Sequence, residues 1–173
     1  MDKGELRRYI QSIKRKYSVD ERIEMSREVI NRLTTHPLYI NAKTVLLYHS
    51  LPDEVYTHQL IEECCRSKTV LLPTVVGDDL ELHVYTPQCG TSVGSYSIVE
   101  SDGPLFTQYS QIDLAVIPGM AFDTMRNRLG RGKGYYDRLL PHLTCPKIGI
   151  CFPFQLVESI PAESHDIKMD EVI

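Results

Sequence analysis

The chain has 173 residues, a formal net charge of −4, 42% hydrophobic and 24% charged residues. That is enough to bury a substantial core in one domain spanning 1–173, and the acidic balance argues against a nucleic-acid-binding protein. No apolar run approaches the ~18 residues of a membrane span, and the charged N-terminal stretch lacks the apolar centre of a secretory signal.

Five cysteines, Cys64, Cys65, Cys89, Cys145 and Cys151, have no CxxC spacing. They argue against a disulfide framework or a structural zinc site, and predict buried thiols in a reduced, cytoplasmic setting. Leu6, Ile10, Ile13 and Tyr17 recur at helical spacing, with Arg8, Gln11, Lys14 and Arg15 between them, so the chain opens on a helix. Ser18 and Glu21 have capping-box spacing and start a second helix with Ile23, Ile30 and Leu33 on one face. His36-Pro37 ends it, because proline disfavours helix in the preceding residue.

The period then changes. Residues 44–49 read as a buried strand, Thr57 as the cap of a helix over 58–67, and 69–73 as a second buried strand. Residues 80–85 alternate and predict a strand wet on one face. Residues 86–111, rich in Gly, Ser, Thr and Pro, predict mostly loop. A buried strand at 113–118, a short helix at 135–143 and a last core strand at 147–151 complete the pattern. The alternation predicts a single-domain α/β fold with a largely parallel sheet flanked by helices and two N-terminal helices. Ligands bind such sheets beyond the carboxyl ends of the strands. Three segments follow such ends: 49–54, the stretch from Gly119, and the stretch from Pro153.

The second of these contains an anomaly. Between Arg126 and Arg138 lie five basic side chains and three glycines, against one acid, Asp137. This is not a Walker A loop, since Gly132-Lys133 is followed by Gly134 and Asn127 stands where the first glycine belongs. Nor is it a dinucleotide fingerprint, since Tyr135 replaces the last glycine. The ingredients for phosphate remain: glycine amides that can form a concave nest, Lys133 as a point charge, Arg128 and Arg131 as planar forks, and a helix start at Tyr135. Asp137 is placed to ligate a magnesium ion bridging phosphates. A solvated basic loop, a non-catalytic phosphate-binding module and a nucleic-acid site are the competing readings of this composition.

The segments PGMAFD at 118–123 and NRLGRGKGYYDR at 127–138 resemble the signature of the 5-formyltetrahydrofolate cyclo-ligase family. So do KGELR at 3–7, HSLPDEVYT at 49–57 and KMDEV at 168–172, in the right order and across nearly the whole chain. The resemblance implies ATP-dependent conversion of 5-formyltetrahydrofolate to 5,10-methenyltetrahydrofolate, with release of ADP and phosphate. It implies ATP binding by Lys3, Arg7, Arg128, Leu129, Gly130, Arg131, Gly132, Lys133, Gly134, Tyr135 and Tyr136. Folate would be bound by His49, Glu54, Arg131, Gly132, Lys133, Gly134 and Tyr135, with Lys133 and Arg131 catalytic. Asp137 and Asp170 would hold Mg2+. A cytoplasmic monomer is expected, with small-molecule substrates as its only partners, neither nucleic acid nor membrane. One departure stands out: the family usually has glycine at the place of Arg126, and Asn127 is expected to take over part of that turn role.

Overall fold

Two capping boxes start the chain. In α1 (Lys3–Lys14) the Asp2 side chain accepts from the Glu5 amide and Glu5 returns to the Asp2 amide. In α2 (Val19–Thr34) Ser18 and Glu21 do the same, as their spacing predicts. The buried faces differ from expectation. In α1 they are Leu6, Ile10 and Lys14, four residues apart, while Ile13 is only half-buried. In α2 they are Ser26, Val29 and Leu33, and Ile23 points outward. Lys14 can occupy a core-facing position because Asp53 meets its Nζ at 3.1 Å, and an ion pair offsets part of the desolvation cost. Helix α2 does stop before His36-Pro37. That pair then opens a further short helix, α3 (Pro37–Asn41), with the His36 ring capping the Leu38 amide.

The computed structural model describes residues 1–173. After α3 come β1 (Thr44–Leu46), α4 (His58–Cys64), β2 (Thr69–Val76), β3 (Asp79–Tyr85), β4 (Thr91–Val93), β5 (Val99–Ser101) and β6 (Leu105–Phe106). They are followed by β7 (Leu114–Ile117), β8 (Ala121–Asp123), β9 (Arg128–Leu129), α5 (Tyr135–Leu139), β10 (Lys147–Gly149), β11 (Leu156–Val157) and β12 (Glu171–Val172). The main sheet has the order β12-β10-β7-β1-β2-β3-β6. It is parallel from β12 to β2 and antiparallel at the β2–β3 hairpin and β6.

The two faces of this sheet are read directly from strand alternation. Val45, Leu47, Val70 and Leu72 face one core cluster beneath the helices, with Val29, Leu33, Leu60 and Ile61. Leu46 and Leu71 face the other, with Leu139 and Leu140 from α5 and the turn after it. A third, small cluster joins Leu6 and Ile10 of α1 to Ala121 of β8 and Leu129 of β9. It anchors the first helix on the three-stranded β11-β8-β9 sheet, beside the glycine-rich loop.

Residues 86–111 are loop and turn over most of their length, with three short strands among them: β4 pairs with β5, and β6 extends the main sheet. These strands are two or three residues long, too short for a period to register. The helix after Thr57 ends at Cys64, and Thr57 does not cap it. Its buried hydroxyl donates to the Tyr48 carbonyl and accepts from the Ser50 amide, so it ties the β1 exit loop instead. Residues 135–143 divide into α5 and a 3-10 turn at Leu140–His142, since Pro141 has no amide to continue the α ladder.

Candidate active site

The carboxyl ends of β1 and β7 and the glycine-rich loop surround one cavity of about 380 Å3. That volume lies within the range of small-molecule sites. The β1 exit supplies His49, Leu51 and Glu54, the β7 exit supplies Pro118 and Gly119, and the loop supplies Arg128 to Tyr136 in part. The stretch from Pro153 does not line the cavity. Gln155 donates from Nε2 to the carbonyls of Gly119 and Met120, at 3.1 and 3.0 Å, and so buttresses the β7 exit from behind.

Arg128 is the fixed cation of the site. Its side chain is 6% exposed, with Nη1 donating to the Pro118 carbonyl at 2.9 Å and Nη2 to Asp137 Oδ1 at 3.1 Å. Its guanidinium lies 5.3 Å over the Tyr136 ring, and its buried Nε has no partner. Arg131 reaches across the mouth to the β1 loop. Its Nη2 donates to Asp53 Oδ1 at 2.6 Å and to Glu54 Oε1 at 3.0 Å. Asp53 in turn binds Lys14. Burial works to raise the Asp53 carboxyl, but the Arg131 hydrogen bond and the Lys14 charge overcome it and hold the group below the usual carboxylate range. For Lys14 burial dominates and lowers the ammonium, with Asp53 opposing.

Lys133 has no carboxylate partner. Its Nζ sits 5.3 Å over the ring of Tyr96. The loop around it bends at Gly132, with φ of 98°, and at Gly134, with φ of 74°, conformations that exclude most side chains. Helix α5 is only five residues long, so the helix-start field expected for phosphate is weak here and the side chains carry the positive charge. Tyr136 packs against the second core cluster, and burial followed by the nearby Glu54 charge pushes its hydroxyl pKa well up. Tyr135 faces Tyr96, with ring centroids 6.1 Å apart. Leu129 is a core residue, so only its backbone is available to a ligand.

Of Lys3 and Arg7 in α1, only Arg7 meets the loop. Arg7 Nε donates to the Gly130 carbonyl at 2.7 Å, and its guanidinium lies beside Gly132. Lys3 pairs with Asp166 at 3.1 Å. His49 stacks on His58 with centroids 3.7 Å apart, and burial followed by His58 lowers its pKa to about 4.

The two acids singled out for metal lie apart in role. Asp137 spends one oxygen on Arg128. Asp170 spends one on the Lys147 amide at 2.8 Å, beside the turn that contains Arg126. No three His, Cys, Asp or Glu side chains converge as an all-protein metal cage would require. One or two carboxylates with phosphate oxygens and water make the usual magnesium arrangement, and Asp137 and Asp170 each keep one carboxylate oxygen uncommitted for it.

Arg126 itself adopts φ of 66°, so the left-handed turn expected to pass to Asn127 falls on the arginine. Asn127 instead donates from its side chain to Asp123 Oδ2 at 2.9 Å. Arg126 holds the C-terminal segment through Nη1 to the Asp170 carbonyl at 2.9 Å, and its own carbonyl accepts the Met169 amide. Sequence reasoning missed Asp53, Lys14 and Tyr96. Adjacent acids after a strand were a signal for Asp53; Tyr96 lay in the stretch read as loop.

Comparisons place the chain among known proteins. A sequence profile described as the 5-formyltetrahydrofolate cyclo-ligase family matches residues 1–173. The Escherichia coli K12 5-formyltetrahydrofolate cyclo-ligase is 32% identical, over 95% of each chain. The NMR structure of Aquifex aeolicus 5,10-methenyltetrahydrofolate synthetase superimposes with a TM-score of 0.89 at 35% identity, covering 99% of this chain and 89% of that one. The Mycoplasma pneumoniae 5,10-methenyltetrahydrofolate synthetase does so with a TM-score of 0.79 at 27% identity, covering 100% and 98%.

Proposed function

The chain belongs to the 5-formyltetrahydrofolate cyclo-ligase family, and on that premise we propose how its cavity performs the ATP-dependent formation of 5,10-methenyltetrahydrofolate from 5-formyltetrahydrofolate. The observation that carries the reading is the meeting of Glu54 with a cluster of cations in one cavity. A carboxylate only accepts hydrogen bonds, and a reduced pterin presents adjacent N–H donors. The cations beside it suit a triphosphate.

The chemical obstacle is the formyl oxygen, which is amide-like and does not leave as hydroxide. In the proposed course that oxygen attacks the γ-phosphorus of ATP, ADP departs, and the formyl carbon now bears a phosphate leaving group. N10 of the same folate attacks that carbon and loses its proton, and phosphate leaves as the five-membered ring closes. The attack is intramolecular, so alignment replaces a second encounter. Arg128 is held from three sides and offers a preorganised charge at low reorganisation cost. Lys133, free of any carboxylate, neutralises charge on the transferring phosphoryl group. Arg131 leaves Glu54 as the pterin arrives and turns to phosphate. Arg7 and Lys3 meet the outer phosphates, and the backbone of Leu129, Gly130, Gly132 and Gly134 borders them. Asp137 and Asp170 would hold Mg2+, which supplies further charge neutralisation at the phosphates when bound.

No helix is long and apolar enough to cross a membrane. We place the enzyme in the cytoplasm as a monomer, acting on small molecules and not on nucleic acid. The test is direct: protein, ATP, magnesium and 5-formyltetrahydrofolate should give the absorbance of the methenyl product. ATP binding without product would mark a non-catalytic module and overturn the proposal.

A further inference from the structure

Lys14 stands one turn beyond the fully buried Ile10, on the face that α1 turns to the core. Its side chain is 4% exposed, and its Nζ has one hydrogen-bond partner, Asp53 Oδ2 at 3.1 Å. A buried ion pair is weak evidence for stability, and an apolar residue of similar volume in its place is often neutral or stabilising. Packing alone therefore gives no reason for a lysine here. The partner of its partner does. Asp53 gives its other oxygen, Oδ1, to Arg131 Nη2 at 2.6 Å, so one carboxylate ties α1 to the glycine-rich loop. Arg131 also donates to Glu54 Oε1 from Nη2 and Nε, while its Nη1 makes no hydrogen bond.

We propose that Lys14 and Asp53 are positioning residues for the reaction: Lys14 fixes the Asp53 carboxylate, and Asp53 is the pivot on which Arg131 turns from Glu54 to the transferring phosphoryl group. The inference rests on the folate reading of the cavity, in which the pterin takes Glu54 from Arg131. An arginine released from both acids would recover its rotamer freedom and face the phosphates in many geometries. Held at Nη2 by Asp53, it keeps one end fixed while Nε and Nη1 are left to meet an anion as a planar fork. The pivot is only as firm as Asp53 itself. Asp53 is 35% exposed, and its Oδ2 has no partner but Lys14, so without the ammonium the carboxylate is free to turn toward solvent. Glu54 needs no such support, because its second oxygen accepts the Leu51 amide at 2.9 Å. A lysine in the core of α1 thus acts on the loop through one intermediate acid.

The experiment measures single-turnover methenyl formation by the full enzyme with ATP, magnesium and 5-formyltetrahydrofolate, with enzyme in excess so that slow variants stay readable. Lys14→Met should unfold in denaturant at a midpoint equal to or above that of wild type, yet lose rate by about tenfold. A purely structural lysine would move the two readouts together. Asp53→Asn keeps the side-chain volume and removes the charge that both cations share, and it should lose at least as much rate. In an Arg131→Gln background neither substitution should cost anything further, since the residue that they serve is gone. The proposal is overturned if Lys14→Met turns over like wild type, if its midpoint falls along with its rate, or if the losses persist undiminished without Arg131. Asp53→Asn with the rate of wild type overturns it independently of how Lys14→Met folds. A wild type that forms no methenyl product overturns the folate reading itself, and this inference with it.

Discussion

Arg131 and Glu54 are joined by two hydrogen bonds to one carboxylate oxygen, from Nη2 at 3.0 Å and Nε at 3.2 Å. The other oxygen accepts the Leu51 amide at 2.9 Å. The acid proposed to read the pterin is thus saturated by a cation of the phosphate loop before substrate arrives. On the proposed reading, folate binding would exchange this pair for pterin donors and free Arg131, linking the two substrate sites. Glu54→Gln sets an amide donor against the pterin's donors and should cost roughly 1–3 kcal/mol in folate binding. Calorimetry should show a much smaller loss for ATP; equal losses would remove Glu54 from the pterin.

Lys133→Met keeps most of the side-chain length and removes one charge from a loop whose bends are set by glycine. Turnover should fall on the order of 10²–10³-fold, with ATP affinity changed far less, as for a contact made mainly in the transition state. Methenyl formation within about threefold of wild type, with unchanged thermal unfolding, would make Lys133 a solvated loop residue worth at most about 0.5 kcal/mol.

The Arg126 turn can be tested by two substitutions. Arg126→Ala keeps the left-handed strain and loses the bond to the Asp170 carbonyl. Arg126→Gly loses the same bond but relieves strain of about 1 kcal/mol. Chemical denaturation should therefore rank the glycine variant above the alanine variant by about that amount. The reverse order would show that the turn is unstrained.

Asp137→Asn and Asp170→Asn should each raise the magnesium concentration needed for half-maximal turnover while leaving the fold intact, since each removes a charged oxygen from a hard cation's shell. A variant whose magnesium titration matches wild type identifies an acid that is not a ligand. Asp170, already tied to the Lys147 amide, should show the smaller shift.

Burial and the stacked His58 ring lower His49 from its ordinary 6.5 to about 4. The folded state therefore takes up this proton later than the unfolded chain does. Stability from the neutral ring is fully present above 6.5 and is lost as pH falls from 6.5 through about 4. His49→Gln should flatten the pH dependence of unfolding across that window. A His49 ring that titrates near 6.5 by NMR would refute the shift.

Much of this molecule is local in origin. The capping box at Ser18, the buried strands at Thr44, Thr69 and Leu114, and the anomalous loop at 126–138 each depend on neighbours in sequence, so period and turn chemistry reveal them. The positive charge of Arg128, Arg131 and Lys133 is present in the composition, and their convergence with Glu54 follows from strand ends that a parallel sheet must align. What only tertiary structure decided depends on partners far along the chain. Lys14 is buried because Asp53 lies opposite it, Ile23 points outward because Ser26 and Val29 take the core side, and Thr57 serves Tyr48 rather than its helix. Arg126 bends left-handed with its guanidinium on the Asp170 carbonyl. Propensity describes a residue among its sequence neighbours, whereas each of these roles is set by a charge, a carbonyl or a packed face that the chain meets only once folded.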